Sequence, residues 1–400
     1  MIFDILAWSL TAAPLMLLAV LIIELALGSL VRPRAYPARC QTPPTAMILM
    51  PAHDEAGGIA ATLARQLPLL DPQIRLLVIA DNCADDTAAI ARAAGALVLE
   101  RHDATRRGKG HALAFGRDAL RDGALPGQFP PDCLVILDAD CEIDGDDLRR
   151  LIATACATGR PVQSRYLLRT RSGASAMTQI SNFAFLIKNL VRARANAWLG
   201  APAMLGGTGM AFPWSLAEQA PLATSHLVED LVLGIDFARG GHAPIFLEQA
   251  TTWSDPASQQ DTRTQRTRWE HGYIDTALKH GLPLVLAGLG RGRPALCWHG
   301  LSLLVPPLAL MISLSLLILA TAATLALLGA TPMPAILLAA ALGLAGICLL
   351  LAWSRDGRST VRAATLVRIP LYLAWKIPVY LRLIGKPEQS WVRTRRDGED

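Results

Sequence analysis

Apolar residues in this chain fall into short runs through its middle and long runs toward its ends. Residues 6–30 make the first long run, broken only by Glu24, and residues 301–328 and 335–353 make two more. About 20 apolar residues cross the roughly 30 Å hydrocarbon core of a bilayer, so each run predicts a transmembrane helix. A cleaved signal peptide fits the first run poorly, since it has no basic start and no small-x-small site at its end. The short runs read differently. Ala46-Met47-Ile48-Leu49-Met50, Arg75-Leu76-Leu77-Val78-Ile79-Ala80 and Ala96-Leu97-Val98-Leu99-Glu100 predict strands, with helices between them that end near residues 70 and 94. That βα rhythm predicts a parallel sheet with right-handed crossovers. Leu134-Val135-Ile136-Leu137 predicts a further strand buried on both faces. Between residues 366 and 384, apolar side chains recur at helical spacing while Arg368 and Arg382 face away, the pattern of an amphipathic helix lying in a membrane interface.

Composition supports the membrane reading, because 52% hydrophobic residues is more than an ordinary soluble enzyme carries. The formal charge of +5 is modest, and its arginines cluster beside the apolar runs. Arg32, Arg34 and Arg39 follow the first run, which only Asp4 precedes; Arg355, Arg358 and Arg362 follow the third. By the positive-inside rule these arginines are cytoplasmic, which predicts a multi-pass protein of the inner (plasma) membrane with its central domain in the cytoplasm. No basic stripe interleaved with aromatics suggests nucleic acid. The seven cysteines are scattered and odd in number, with no C-x-x-C pair, against both a disulfide framework and a zinc cluster. Glu24 lies near the cytoplasmic end of its run; its carboxylate either reaches the interface or pairs inside a helix bundle. The predicted division is a transmembrane helix over 1–31, a Pro-rich linker over 32–44, a cytoplasmic domain over 45–290, transmembrane helices over 296–330 and 335–353, an interfacial helix over 362–386 and a tail over 387–400.

Candidate chemistry gathers where strands end. Asp138 and Asp140 follow the fourth strand, and residues i and i+2 of an extended segment point the same way, so the two carboxylates can share a cation. Oxygen ligation of this kind suits Mg²⁺ or Mn²⁺ carried with a diphosphate; the alternative is a strand ending in an acidic turn. The loops after the first two strands, Pro51-Ala52-His53-Asp54-Glu55 and Asp81-Asn82-Cys83-Ala84-Asp85-Asp86-Thr87, are acidic too. In open α/β sheets such loops meet along one edge. No G-x-G-x-x-G follows the first strand, which discounts a dinucleotide-binding oxidoreductase. Lys109, in Arg107-Gly108-Lys109-Gly110-His111, either touches a phosphate or belongs to a solvated basic loop with Arg101, Arg106 and Arg107. Glu229 and Asp230 open an apolar helical run, where carboxylates are also common for their effect on the helix dipole. Gln265, Arg268 and Trp269 lie at i, i+3 and i+4 on one helical face.

Pro51 to Glu55, Asp81-Asn82 with Asp85-Asp86-Thr87, Gly108-Lys109-Gly110, Asp138-Ala139-Asp140, Val228-Glu229-Asp230 and Gln265-Arg266-Thr267-Arg268-Trp269 occur in the order and approximate spacing of one family. Over about residues 45–280 the chain resembles membrane-bound family 2 glycosyltransferases, the group of cellulose, chitin and hyaluronan synthases and their exopolysaccharide relatives. The resemblance implies an α/β GT-A fold, a nucleotide-sugar-binding domain on a mostly parallel sheet, flanked by transmembrane helices. It further implies that Asp81 contacts the uracil and ribose side of a UDP-sugar, with Pro51, His53 and Glu55 lining the same pocket. Lys109 lies near the diphosphate, Asp140 is the principal metal ligand, and Asp138 faces the ribose or the metal. Asp230 is the general base beside Glu229; Val228 stands where the family has Thr or another small residue. Arg268 neutralises the leaving diphosphate, Gln265 lies beside it, and Trp269 stacks on a sugar. Leu205-Gly206-Gly207-Thr208-Gly209-Met210 resembles the acceptor-side loop, and Gln163-Ser164-Arg165-Tyr166 resembles a family segment without an assigned role.

The expected activity is inverting transfer from a nucleotide sugar, UDP-linked, to a growing exopolysaccharide or lipid-linked saccharide, with membrane lipids and a separate polysaccharide exporter as partners. The alternatives are single-sugar transfer to a membrane lipid and a catalytically silent nucleotide-sugar-binding scaffold.

Overall fold

The computed structural model describes residues 1–385 apart from 38, 39, 41, 126–129, 172, 225, 227 and 255–258, and for residues 259–267 and 381–385 it describes the backbone only. The chain forms two compact units, one built from Pro33–Arg169 and Pro202–Gly272, the other from Met1–Arg32, Thr170–Ala201 and Tyr273 onward. Thr170–Ala201, which lies inside the stretch 45–290 that the sequence suggests as one domain, groups with the apolar helices.

The first unit holds one eight-stranded sheet. Its strands are β1 (Ala46–Ala52), β2 (Ile74–Asp81), β3 (Leu97–Arg101), β4 (Cys133–Ile136), β5 (Cys141–Ile143), β6 (Val162–Leu168), β7 (Met210–Pro213) and β8 (Ile245–Ser254), in the order β3-β2-β1-β4-β7-β6-β8-β5. β3, β2, β1 and β4 are parallel, as the βα rhythm predicts. Beyond β4 the sheet is mixed, because β7 is antiparallel to both β4 and β6, and β5 to β8. The expected GT-A sheet is therefore present, but only its first half is purely parallel. Helices on its faces bury Leu49, Ile79, Leu120, Ile136 and Phe212 in a common core.

β4 stops at Ile136, and the Cys141 amide donates to the Asp138 carbonyl at 3.0 Å, closing a four-residue turn into β5. Asp138 and Asp140 are thus brought together by this turn, where the sequence suggested alternation along an extended strand. Directly after β5, Asp144 caps the helix Gly145–Thr158 by accepting from the Asp146 amide, and left-handed Gly159 ends it. The turn is held from both sides.

Among the described residues of the second unit, three helices are long and apolar enough to cross a membrane, Ile2–Leu30, Leu308–Leu327 and Met333–Gly357. The helix Pro294–Leu304 precedes the second of these and is parted from it at Val305, Pro306 and Pro307, within the run the sequence reads as one span. Tyr273 Oη donates to the Leu303 and Val305 carbonyls at 3.0 and 3.1 Å, satisfying oxygens that the break leaves outside the helix. Glu24 is fully buried and pairs with Arg192 at 2.5 Å, so the bundle alternative describes it and the interface alternative does not. The region of the expected amphipathic helix holds a short helix Ala363–Leu366 and a longer one, Ile369–Gly385.

Candidate active site

Parallel pairing puts the carboxyl ends of β1, β2 and β4 on one edge of the sheet, and the acidic loops leave from that edge. Two side-chain groups form there.

The first lies on β1, β2 and β3. Pro51 is half-buried near the end of β1, and His53 Nδ1 lies 2.6 Å from the Asp81 carbonyl. The Asp81 carboxylate is buried and receives Arg101 at 2.6 Å and the Asn82 amide at 3.0 Å. Arg101 also donates to Asp103 and to the Arg106 carbonyl. It is therefore a buried tie between two strands and a loop, which removes it from the solvated basic loop suggested by the sequence. The Glu55 amide donates to Thr87 Oγ1 at 2.8 Å, and Asp85 accepts from Thr87 and from the Ala56 amide. The Asp81 and Asp85 carboxylates therefore hold these loops in place.

The second group surrounds a pocket lined by Lys109, Gly110, Gly207, Thr224, Glu229 and Asp230, with Ile136, Met210 and Leu233 behind them. Lys109 Nζ lies 2.5 Å from Asp138 Oδ1 and donates to the Gly207 carbonyl at 2.8 Å. Gly207 has φ +86°, and a Cβ there would come within 3.2 Å of Asp230 Oδ2 and 3.4 Å of Lys109 Nζ, so the carboxylate and the ammonium approach the backbone as closely as a glycine allows. Thr208 accepts from the Asp138 amide at 3.0 Å. Asp140 completes a cluster with Asp138 and Cys141 in which the potential ligand atoms lie within 4.8 Å of one another. Burial and the adjacent carboxylates push the Cys141 thiol well above its usual range, so it stays protonated and donates to Asp140 at 3.3 Å.

Three carboxylates, Asp138, Glu229 and Asp230, thus act on one ammonium, with Asp140 beside Asp138. Burial alone would depress Lys109, but Asp138, Glu229 and Asp230 outweigh it and hold the amine above the ordinary lysine range. Burial raises Asp138, the charges of Asp140 and Asp230 raise it further, and Lys109 opposes them. Glu229 is pushed up to about 7, first by burial and then by Asp230, again against Lys109. Since this folded-state value exceeds the unfolded one of about 4.3, the folded chain holds the extra proton between them and loses stability as pH rises toward 7. Without divalent metal, Glu229→Gln is expected to melt above the wild type at pH 8, with the gap closing toward pH 5. Thermal unfolding across that range checks this, and a gap independent of pH would contradict it.

Gln163, which the sequence left without a role, clamps the glycine loop. Its buried amide donates to the Thr208 carbonyl at 3.0 Å and accepts from the Gly206 amide at 2.8 Å. Next to it, Ser164 and Thr252 hydrogen-bond at 2.7 Å across Gly209, where a Cβ would collide with both hydroxyls. Gln163→Leu leaves two loop groups unpaired, a cost of about 1–3 kcal/mol. It is expected to slow turnover by up to about 10²-fold through a misplaced loop, with the fold retained. Steady-state kinetics beside circular dichroism measures both. The sequence marked the segment but not this role, because the partners of Gln163 lie 43 and 45 residues further on.

Arg268 and Trp269 are half-buried on the helix Gln259–Gly290 and do not line this pocket; the Gln265 side chain lies outside the described residues. The structure therefore joins Lys109, Asp138, Asp140, Gly207, Thr208, Glu229 and Asp230, and separately His53, Glu55 and Asp81.

A family model described as Glycosyltransferase like family 2 matches residues 43–272. Among solved structures, the mannosyltransferase PcManGT from Pyrobaculum calidifontis, in complex with GDP-Man and Mn²⁺, shares the fold at 17% identity and a TM-score of 0.59, over 96% of this chain and 100% of that one. Glucosyl-3-phosphoglycerate synthase from Mycobacterium tuberculosis, in complex with Mg²⁺ and uridine-diphosphate, aligns over 63% of this chain and 83% of that one, at 23% identity and a TM-score of 0.39. No curated protein matches the sequence. The family match spans the whole mixed sheet and every strand end that carries a candidate carboxylate, and by it the chain belongs to glycosyltransferase family 2.

Proposed function

We propose that the chain is an inverting glycosyltransferase that moves a sugar from a nucleoside-diphosphate sugar, UDP-linked, to a hydroxyl of a growing exopolysaccharide or lipid-linked saccharide. The observation that carries this reading is the single pocket where Asp230 and Glu229 face Lys109, itself paired with Asp138 of the Asp138-Ala139-Asp140 turn.

The turn suits Mg²⁺ or Mn²⁺. Its donors are carboxylate oxygens, its neighbouring thiol is held protonated, and its negative charge exceeds what one ammonium balances. Asp138 and Asp140 would hold the ion, which when bound supplies positive charge to the departing diphosphate. The fold partner from Pyrobaculum calidifontis holds GDP-Man and Mn²⁺, in keeping with this.

Asp230 takes the proton of the acceptor hydroxyl as its oxygen bonds to the anomeric carbon from the face opposite the diphosphate. The bond to the diphosphate breaks, its electron pair leaves with the phosphate, and the sugar inverts to a β-linkage. Pro51, His53, Glu55 and Asp81 receive the nucleoside, Lys109 and Arg268 the diphosphate, while Gly207 and Thr208 present backbone to the acceptor beside Gln265 and Trp269. The distribution of Arg32, Arg34, Arg355, Arg358 and Arg362 supports a pocket on the cytoplasmic side of the inner membrane. An exporter is the expected partner, because the three apolar helices among the described residues are few for a polysaccharide channel.

Detergent-purified protein given Mn²⁺ and labelled UDP-glucose, UDP-galactose, UDP-N-acetylglucosamine or GDP-mannose tests this, with the product sized. One donor is expected to be consumed, and a product ladder separates polymerisation from a single transfer to lipid. Changing even an outer-shell partner of a metal costs about 10–100-fold, so Asp140→Asn, which alters a ligand, is expected to lower the rate by at least as much. Equal background release from wild type and Asp140→Asn would favour the silent scaffold.

A further inference from the structure

Lys109 occupies an unusual place. It is the first residue of the helix Lys109–Arg121, where the dipole disfavours a cation, and Gly108 before it offers no side-chain cap. Its ammonium is held by Asp138 at 2.5 Å and by the Gly207 carbonyl at 2.8 Å. Asp138 is one of two carboxylates whose oxygens lie close enough to share a divalent cation. Lys109 holds Oδ1 of that same Asp138 carboxylate. A cation bound there would stand beside a second positive charge, and like charges at that range repel.

We infer that Lys109 is an internal counter-ion that holds Asp138 in the donor-free protein, so that divalent metal binds tightly only once a diphosphate draws the ammonium off. The inference rests on the metal reading given above and adds an order to it. The diphosphate presents more negative charge than Asp138 and sits on a helix N-terminus, a position that favours anions. Moving Lys109 onto it frees the Asp138 carboxylate for the metal and pairs the ammonium again. Metal and nucleoside diphosphate then strengthen each other's binding reciprocally. The practical consequence is a donor site that stays closed to adventitious cations until a substrate arrives.

The test is Mn²⁺ binding followed by calorimetry and by the electron paramagnetic resonance of free Mn²⁺, on full-length protein in detergent with no sugar donor. Wild type is expected to bind Mn²⁺ alone weakly, and at least about tenfold more tightly with saturating UDP after correction for the UDP–Mn²⁺ complex, within the usual range of coupling. Lys109→Met and the polar Lys109→Gln are each expected to bind Mn²⁺ alone at least about tenfold more tightly than wild type and to lose most of the UDP effect, whereas Lys109→Arg keeps the wild-type pattern. Asp140→Asn serves as the background for binding at this site. If both neutral variants bind Mn²⁺ no more tightly than wild type, while Asp140→Asn abolishes that binding, the counter-ion role is overturned and the metal site stands. If no variant shows Mn²⁺ binding that depends on Asp140, with or without UDP, the role and the metal reading fall together.

Discussion

Replacing Asp230 with Asn is expected to slow sugar transfer by about 10²–10⁴-fold, the usual contribution of a positioned proton acceptor, while binding of nucleoside diphosphate is retained. The substitution keeps the shape of the side chain and removes its basicity. Asp230 stands in the first turn of the helix Glu229–Arg239, with Oδ2 close to Gly207 and the ammonium of Lys109 close to the same glycine. An amide fits the same space, and Lys109 keeps its contacts with Asp138 and the Gly207 carbonyl. Asp230→Glu is a stricter probe, because it keeps the carboxylate but shifts it by one methylene from its position beside Gly207. Both variants are expected to lose turnover with little change in affinity for UDP, a loss in kcat rather than in donor binding. Initial rates with saturating donor, beside calorimetric titration of UDP, measure the two quantities separately. A turnover within a few-fold of wild type for Asp230→Asn would assign the proton to another group, and the adjacent carboxylate of Glu229 would be the first to examine.

The parts of this site that could be read in the sequence share one property. Strands β1, β2 and β4 are buried on both faces, so their apolar runs are nearly continuous, and the carboxylates that follow them mark where each strand ends. β6, β7 and β8 left no such trace. β8 carries Glu248, Thr251 and Thr252 in its interior, all buried, because the hydroxyls of Thr251 and Thr252 bond to Arg165 and Ser164 on the neighbouring strand. Side chains that satisfy one another across a sheet look like surface residues in the sequence. Gln163 was unreadable for the same reason, and so was Arg101, whose basic neighbours suggest solvent while its own guanidinium is buried against Asp81. The break at Pro306 and Pro307 was visible as a pair of prolines, but the hydroxyl of Tyr273 that makes it tolerable was not.

In the second unit the largest effect is expected at Glu24. Its carboxylate is fully buried, pairs with Arg192 and accepts from the hydroxyl of Ser302, whose carbonyl in turn accepts from Arg192 at 2.9 Å. Asn196 donates to Ser302 Oγ at 3.0 Å and accepts from the indole of Trp298 at 2.8 Å, so the network extends over residues distant in the chain with its polar atoms paired. Glu24→Leu leaves the buried guanidinium of Arg192 without its counter-charge, which typically costs about 3–5 kcal/mol. Against a total stability of about 5–15 kcal/mol, that is enough to lower the melting temperature sharply and to deplete folded protein during expression. Replacing both partners, as Glu24→Leu with Arg192→Met, removes the charge along with its partner and is expected to recover most of the loss, since a buried pair exchanged for apolar groups of similar volume is often close to neutral. Thermal unfolding of the wild type, both single variants and the double variant in one detergent closes the cycle and yields the coupling. A Glu24→Leu protein that melts with the wild type would mean that water reaches Arg192. If instead the double variant proved as unstable as the singles, the network would owe its strength to Ser302 and Asn196 rather than to the ion pair.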